Sequence, residues 1–148
     1  MSLEKYKQKR LFTETPEPPG EVVEQTPSIF VVQEHHASHL HWDFRLAMDG
    51  VLKSWAIPKE PPTEKGIKRL AVQTEDHPLE YADFEGEIPP GHYGAGKVII
   101  WDKGTYELLK KEPEKLVFKL EGNRLKGTYV LLRFPKAGPK NWLFFRKG

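Results

Sequence analysis

The chain has 148 residues, of which 38% are hydrophobic and 30% are charged, and it contains no cysteine. This length and composition suit a single domain of a soluble globular protein. Without cysteine there are no disulfides and no thiolate ligands, so a bound metal must use imidazole, carboxylate or water. No apolar run approaches the roughly 20 residues that span a bilayer, and the charged N-terminus lacks the apolar core of a secretory signal. We therefore expect a cytoplasmic protein.

The net charge of +2 conceals an asymmetry along the chain. Residues 1–100 hold 11 Lys/Arg against 16 Asp/Glu, whereas residues 101–148 hold 12 against 5. A basic half suits an anionic partner such as nucleic acid. Excess lysine is also common on solvated surfaces, so the charge alone leaves both interpretations open.

In chain order, residues 1–27 mix charges with prolines and predict an irregular N-terminal arm before a folded domain at 28–148. Short segments rich in β-branched and aromatic residues then alternate with turn signals. These segments predict strands at 28–33, 40–47, 51–57, 69–74, 96–102, 104–109, 115–120, 127–134 and 141–147. Asp49-Gly50 predicts a tight hairpin turn. The glycine-rich GHYGAG at 91–96 also predicts a hairpin turn and not a phosphate-binding loop, because it lacks the Lys-Ser/Thr that such a loop requires.

Prolines and glycines spread through the chain leave little room for long helices. Residues 107–115 predict one helical turn, which Pro113 ends. The fold is therefore predicted as all-β and mainly antiparallel, a small closed barrel of about eight strands with an irregular N-terminal arm and little helix.

The stretch QEHHASHLHWDFRL, residues 33–46, holds four of the six histidines. Because side chains alternate across a strand, Leu40, Trp42, Phe44 and Leu46 are predicted on a core face. His41, Asp43 and Arg45 then share the opposite face. A turn at residues 37–39 would bring His35 beside His41.

Two imidazoles and a carboxylate, from His35, His41 and Asp43, form a donor set that suits Mn, Fe, Co or Zn better than Ca or Mg. Arg45 beside such a metal suits a phosphate or carboxylate, because its planar guanidinium pairs two oxygens at once. His36 and His39 compete with His35 for the third position on sequence alone.

Other segments carry candidate polar groups. His77, in the rigid corner EDHP, suits a general acid or a transition-state donor, or a turn histidine bonded to local backbone. Lys59, Lys68 and Arg69 flank a proline-rich loop, where they either bind phosphate or keep the loop soluble.

Two long stretches carry a family resemblance: FVVQEHHASHLHWDFRLAMDGVLKSWAIPKEP and KRLAVQTEDHPLEYADFEGEIPPGHYGAGKVIIWDKGTY. They resemble the 3′-phosphoesterase domain of bacterial ATP-dependent DNA ligase D, which also occurs as free-standing bacterial and archaeal proteins. The resemblance implies a manganese-dependent β-barrel hydrolase that removes 3′-phosphates and 3′-terminal ribonucleosides, leaving a 3′-hydroxyl for repair or ligation.

The resemblance also implies roles for individual residues. It implies metal ligation by His35, His41 and Asp43, with Mn²⁺ as the cofactor and Co²⁺ or Zn²⁺ as alternatives. Contact with the scissile phosphate is implied for Arg45, Lys59, Arg69 and His77, and supporting or substrate-binding positions for Arg10, Glu17, Glu75 and Tyr81. Leu11 stands where the family carries aspartate, a departure that concerns the ribonucleoside step. The implied partners are DNA or RNA/DNA primer 3′ ends and a separate ligase, polymerase or end-joining factor. We expect the chain itself to be a monomer.

Two alternatives remain open on the sequence. One is a non-haem iron oxygenase, in which His41, Asp43 and a distant histidine (His77 or His92) form a facial triad and Arg45 binds a carboxylate cosubstrate. The other is a non-catalytic nucleic-acid-binding module.

Overall fold

The computed structural model of the chain describes residues 3–12, 14–18, 20 and 25–148. Nine strands form one antiparallel sheet that closes on itself. Eight of them follow one another around a barrel in the order β1-β2-β3-β4-β9-β8-β7-β6, and β6 pairs again with β1. The strands are β1 (Ile29–His36), β2 (Leu40–Met48), β3 (Val51–Ile57), β4 (Lys68–His77), β5 (Gly86–Ile88), β6 (Gly96–Glu112), β7 (Lys115–Glu121), β8 (Lys126–Arg133) and β9 (Asn141–Arg146).

Helical structure is confined to three short pieces in the described residues: α1 (Glu4–Gln8) and two 3-10 helices at Leu79–Asp83 and Pro135–Ala137. The predicted fold, a closed all-β barrel with almost no helix, is confirmed. The predicted arm at 1–27 lies partly outside the described residues, and its described part is not wholly irregular because it contains α1. No helix in the described chain has the length and apolar character needed to cross a membrane.

The predicted helical turn at residues 107–115 is wrong. Residues 107–112 continue β6, and Pro113-Glu114 turn the chain into β7. The ladder puts Tyr106 opposite Leu120 and Glu112 opposite Lys115, with a bulge at Leu109. Pairing with β7 therefore overrides the helix propensity of this lysine- and leucine-rich segment.

The predicted break between strands at 96–102 and 104–109 is also absent, because β6 runs through it. Gly104 is needed there for close approach, since a Cβ at this position would meet the carbonyl oxygen of Glu121 at 2.1 Å. The Asp49-Gly50 turn is confirmed: both residues have positive φ, 56° and 82°, as the turn of a tight hairpin requires. The glycine-rich turn at 91–96 likewise joins β5 to β6.

Aromatic side chains fill the barrel interior. The Phe44 ring is stacked with the Phe118 ring at a centroid distance of 5.7 Å and is tilted against the Phe144 ring at 4.8 Å. Leu46 is fully buried in the same cluster. Trp42 packs against this core, whereas Leu40, at the mouth of the hairpin, is exposed. The predicted core face of β2 is thus confirmed except at its first residue.

A second apolar layer covers the outside of β1, β2 and β3. It joins Val31, Ala47 and Leu52 of the barrel wall to Tyr6 of α1 and to Tyr81 of the 3-10 helix. This outer layer encloses the polar residues that lie between it and the barrel wall. The candidate site is located there.

Candidate metal centre and its pocket

The β1–β2 hairpin brings the predicted metal ligands together. Its register places His35 directly opposite His41 and Gln33 opposite Asp43, and the two imidazole rings lie 4.8 Å apart. Residues at paired positions point to the same face of the sheet. His35, His41 and Asp43 therefore share the outer face, as strand alternation predicted for His41 and Asp43 and the turn predicted for His35.

The ligand atoms of these three residues converge on one point. Asp43 Oδ2 lies 3.6 Å from His35 Nδ1 and 3.3 Å from His41 Nε2. The other ring nitrogens face backbone carbonyls: His35 Nε2 is 2.7 Å from the Gly94 oxygen, and His41 Nδ1 is 3.0 Å from the His39 oxygen. Since a carbonyl oxygen only accepts, each ring donates there, and the nitrogen that faces Asp43 is the one left to bind a proton or a metal ion.

This arrangement fits a transition-metal ion. Two lone pairs and a carboxylate oxygen that face one another repel unless a cation lies between them. Ligands at about 2.1 Å from a common ion stand about 3.0–3.4 Å apart, close to the separations observed here. All three donor atoms lie within 4.8 Å of one another. The predicted grouping of His35, His41 and Asp43 is confirmed as a set that could hold a metal.

The other histidines do not join this group. Among the described residues it is the only cluster with metal-binding spacing. His36 bonds Glu34 at 2.6 Å on the surface, and His92 lies 3.3 Å from Glu14. The facial triad that would recruit His77 or His92 is therefore not formed in the described part of the chain.

The electrostatics of the triad favour an ionised carboxylate. Burial raises the pKa of Asp43, but the Arg45 guanidinium and the two imidazoles outweigh this and hold that pKa well below its usual range. Burial lowers the pKa of His41, whereas its hydrogen bond to Asp43 raises it, and the net shift is upward. A cation is thus favoured between these groups, either a proton or a metal.

Arg45 is held rigidly beside the triad. Its Nε donates to Gln33 Oε1 at 2.7 Å and its Nη1 to Ser54 Oγ at 2.8 Å. Its Nη2 lies 3.5 Å from Asp43 Oδ2, and the guanidinium stacks 5.0 Å from the Tyr81 ring centroid. The predicted neighbour of the metal is therefore buried with its plane fixed, which suits binding of an anion.

A β-bulge places His77 on the same face. Two β3 residues, Leu52 and Ser54, pair with His77 and Thr74, so β4 carries one extra residue between them. Without this bulge, alternation would point Thr74 and His77 to opposite faces of the sheet. With it, both line the pocket.

The surroundings of His77 keep its imidazole neutral. Burial, followed by the nearby Arg45 and Arg10, lowers its pKa well below the ordinary value. Nδ1 donates to the Glu75 carbonyl at 3.0 Å, and Nε2 accepts from Arg10 Nη2 at 3.3 Å. The Tyr6 ring packs 5.0 Å away. In this state Nε2 is the acceptor nitrogen of His77, and it is already bonded to Arg10.

The N-terminal arm supplies Arg10 to the pocket. Its Nε donates to Glu17 at 2.8 Å and its Nη1 lies 3.4 Å from Glu75. Tyr81 Oη donates to the same Glu17 oxygen at 3.0 Å. The predicted substrate-binding residues Arg10, Glu17, Glu75 and Tyr81 thus form one connected network, although Glu17 lies behind the pocket wall.

Besides Glu17, two predicted residues lie outside the pocket lining. Lys59 is exposed in the loop after β3. Arg69 lies opposite Phe144, on the face of β4 turned toward the barrel interior, and its Nε donates to the Glu60 carbonyl at 2.9 Å. The predicted contact of Lys59 and Arg69 with the phosphate is not tested and stays a prediction.

The structure adds residues that sequence reasoning missed. Gln33 is fully buried and fixes Arg45, while its Nε2 donates to the Tyr81 and Phe84 carbonyls at 2.7 and 3.1 Å. Its position two residues before His35, on the same strand face, was the available signal. Ser54 and the Gly94 carbonyl act from other segments, and no local pattern marks them.

The pocket has a volume of about 280 Å³. Lys9, Arg10 and Arg45 bring three positive charges to it or its wall, and Asp43, Glu17 and Glu75 bring three negative charges. A divalent metal on the triad would leave a surplus of two positive charges. That surplus matches a phosphate monoester dianion.

The fold and the site define a class: a small antiparallel β-barrel with a buried two-histidine, one-carboxylate centre beside a fixed arginine. The family model described as the DNA Ligase D 3′-phosphoesterase domain matches residues 33–133. The chain belongs to this family.

Curated relatives extend the match to almost the whole chain. It is 48% identical over 98% of its length to the multifunctional non-homologous end joining protein LigD of Pseudomonas aeruginosa. It is 50% identical over 97% of its length to the LigD protein of Mycobacterium bovis, and 44% identical over 95% to that of Mycolicibacterium smegmatis. The chain spans only about a fifth of these relatives, 18%, 19% and 20%.

Proposed function

We propose that the chain is a metal-dependent 3′-phosphoesterase that converts DNA 3′-phosphate ends to 3′-hydroxyl ends. The observation that carries this proposal is the convergence of the ligand atoms of His35, His41 and Asp43 beside the fixed guanidinium of Arg45. Together they form a dianion site, and the family description names a 3′-phosphoesterase.

The reaction is hydrolysis of a phosphate monoester. Water forms a new P–O bond, the bond from phosphorus to the 3′ oxygen breaks, and the products are inorganic phosphate and a 3′-hydroxyl. A bound Mn²⁺ would offset charge on the phosphate oxygens in the transition state. Co²⁺ and Zn²⁺ also suit the donor set.

The side chains around the metal position have separable roles. Arg45 is held in place to bind the remaining phosphate oxygens. Arg10 donates to Nε2 of His77 and would turn toward the incoming dianion. The dianion adds negative charge beside His77 and so raises the pKa of this residue. His77 takes up a proton from solvent as the dianion binds and donates this Nε2 proton to the leaving 3′ oxygen, while the proton of the attacking water is released to solvent.

The arm and the barrel act together in this proposal. Residues 28–148 form the phosphoesterase barrel, and residues 1–27 form an arm that contributes Arg10 and Glu17 to the site. A 3′-terminal ribonucleoside is the second proposed substrate, with its 2′-hydroxyl as the distinguishing group. Since the relatives are named as end joining proteins, we place the activity before repair synthesis or ligation by a separate polymerase or ligase.

The test uses a primer-template ending in a 3′-phosphate and another ending in a single 3′-ribonucleotide. Each is incubated with and without Mn²⁺, with wild type and with His41→Ala. Metal-dependent release of inorganic phosphate, lost in the variant, is expected. Absence of product from both substrates would overturn the proposal, and turnover of 2-oxoglutarate with iron would favour an oxygenase instead. Salt-dependent DNA binding without any turnover would favour a binding module.

A further inference from the structure

A second cavity, of about 410 Å³, adjoins the reaction pocket. The two share Thr74, Glu75 and Tyr93 as lining residues, so they meet at one wall. We call this second space the side cavity. Its position matters because a DNA strand that places its 3′ end in the pocket must continue outward along some neighbouring surface.

Three lysines from separate parts of the chain line the side cavity: Lys5 in α1, Lys9 just after it, and Lys140 before β9. The backbone of Lys140 is anchored, because its carbonyl accepts from the Gln73 N–H at 2.8 Å. Lys5 and Lys140 are exposed and make no ion pair with any residue described by the structure. Two cations are therefore unneutralised beside the pocket.

An aromatic ring stands between the two spaces. Tyr93 is 49% exposed, and Lys9 Nζ lies 4.5 Å from its ring centroid and 3.4 Å from its hydroxyl. Lys9 also bonds Glu75 at 3.2 Å, which neutralises that carboxylate on the cavity wall. A partly exposed ring backed by lysines is the usual combination for holding single-stranded nucleic acid.

A neighbouring cavity is less suited to a polyanion. It shares Thr74 and Glu75 with the reaction pocket and Lys5 with the side cavity. Its charged lining residues are three acids and two lysines, namely Glu4, Glu75, Asp76, Lys5 and Lys53. The side cavity instead combines three lysines with the one acid, Glu75, that is already paired with Lys9. Charge thus distinguishes the two paths away from the pocket.

We propose that the side cavity binds the sugar-phosphate backbone next to the reacting 3′ end, with Lys5 and Lys140 on the preceding phosphates and Tyr93 stacked on a base. This proposal rests on the proposed function, since it extends the same site to a longer strand. Successive phosphates of one strand follow at about 3.4 Å of rise, so the next phosphates must pass beside the pocket.

The first test measures equilibrium binding, which needs no turnover. A fluorescent single-stranded DNA with a 3′-phosphate is titrated with wild type, with Lys5→Ala/Lys140→Ala, and with Lys119→Ala/Lys126→Ala, all in EDTA. The control lysines are exposed on β7 and β8, away from both spaces. Fluorescence anisotropy is recorded over a range of sodium chloride concentrations.

Loss of two phosphate contacts in a single strand lowers the slope of log affinity against log salt by about 1.4. We expect this change for Lys5→Ala/Lys140→Ala and none for the control pair. Binding of thymidine 3′-monophosphate, which is too short to reach the side cavity, should not distinguish the two pairs. Equal affinity and equal salt slope for both pairs on the long strand would overturn the proposal.

The second test concerns Tyr93, which also lines the reaction pocket. Tyr93→Ala should weaken binding of the oligonucleotide at least about fivefold, while Tyr93→Phe, which keeps the ring, should restore it. Failure of Tyr93→Phe to rescue would exclude stacking.

Lysine-dependent binding without phosphate release would contradict the proposed function and leave the side-cavity proposal intact. Phosphate release without lysine dependence would do the reverse.

Discussion

The two faces of the β1–β2 hairpin are both buried, but different structures cover them. The inward face, with Phe30, Val32, Phe44 and Leu46, is enclosed by closure of the barrel itself. The outward face carries Gln33, His35, Asp43 and Arg45, which are almost as inaccessible. They are covered by the N-terminal arm and the 3-10 helix at Leu79–Asp83, which attach largely through side chains.

This difference separates stability from function along the same strands. Inward side chains gain free energy by leaving water and by close packing. Outward polar groups stay buried only because each has a partner, and the histidine lone pairs have one only when a cation is present. Substitutions of inward-facing residues should therefore change the free energy of unfolding. Substitutions of outward-facing residues should mainly change metal binding and turnover.

The largest effect is expected for His41→Ala on the outward face. Losing a ligand removes the metal and with it roughly 5 kcal/mol of transition-state stabilisation, a factor of several thousand in kcat/KM. Calorimetric titration with Mn²⁺ should show no binding. The free energy of unfolding without metal should change by less than about 1 kcal/mol, because this imidazole is partly exposed. Full activity in the variant would contradict the assignment.

Phe44→Ala makes the matching change on the inward face. It removes a fully buried ring from the aromatic core, which should lower the free energy of unfolding by about 3–5 kcal/mol in a urea titration. At low temperature, where the variant stays folded, Mn²⁺ affinity should remain within a few-fold of wild type. A large loss of metal affinity with intact folding would show that the two faces are not separable.

The sequence predicted the parts of this comparison that depend on local alternation. Phe44, His41 and Asp43 were assigned to their faces because a strand has a period of two, and His35 followed from the short turn. The same rule could not predict His77, because a bulge in β4 changes its face. It also could not predict the continuous β6, because pairing with distant β7 decides it.

The cover of the outward face was the least predictable part. Tyr6 is fully buried against His77 and Tyr81, yet it stands in a charged segment that predicted only an irregular arm. Such a segment orders by docking onto a surface that exists only after the barrel forms. The predicted roles of the site residues, beyond the grouping of the metal triad, stay predictions.

Gln33→Leu tests whether a buried outward residue acts through its partners. The change leaves Arg45 Nε and the Phe84 carbonyl without these partners, whereas the Tyr81 carbonyl still accepts from the Phe84 N–H. The expected cost is about 1–3 kcal/mol in the free energy of unfolding. It should also raise KM for a 3′-phosphorylated substrate, since Arg45 is no longer fixed. The inward neighbour Val32→Ala is the control, with a stability loss but no change in KM. An unchanged KM in Gln33→Leu would exclude the positioning role.

A smaller effect on the free energy of unfolding is expected from pH, through protonation of His77. The unfolded chain protonates this imidazole below about pH 6.5, whereas the folded chain resists protonation because its pKa is lowered. The free energy of unfolding should therefore fall as pH drops below about 6.5, by at most about 1.4 kcal/mol per pH unit, until the folded pKa is reached. His77→Asn should flatten this slope in urea titrations from about pH 6.5, the unfolded pKa, down to about pH 5. An identical slope in the variant would show that His77 titrates normally.

The smallest effect concerns Leu11, which is 57% exposed on the arm beside Arg10. Leu11→Asp should leave the fold intact, because substitutions at exposed positions usually change stability by less than about 0.5 kcal/mol. An added carboxylate next to Arg10 can accept a hydrogen bond from a 2′-hydroxyl, which only a ribonucleotide end carries. Removal of a 3′-ribonucleoside should therefore rise severalfold, about what one hydrogen bond contributes, with phosphate release unchanged. Leu11→Ala removes the apolar side chain without adding an acceptor, and an equal gain in both variants would assign the effect to lost apolar surface instead of the carboxylate.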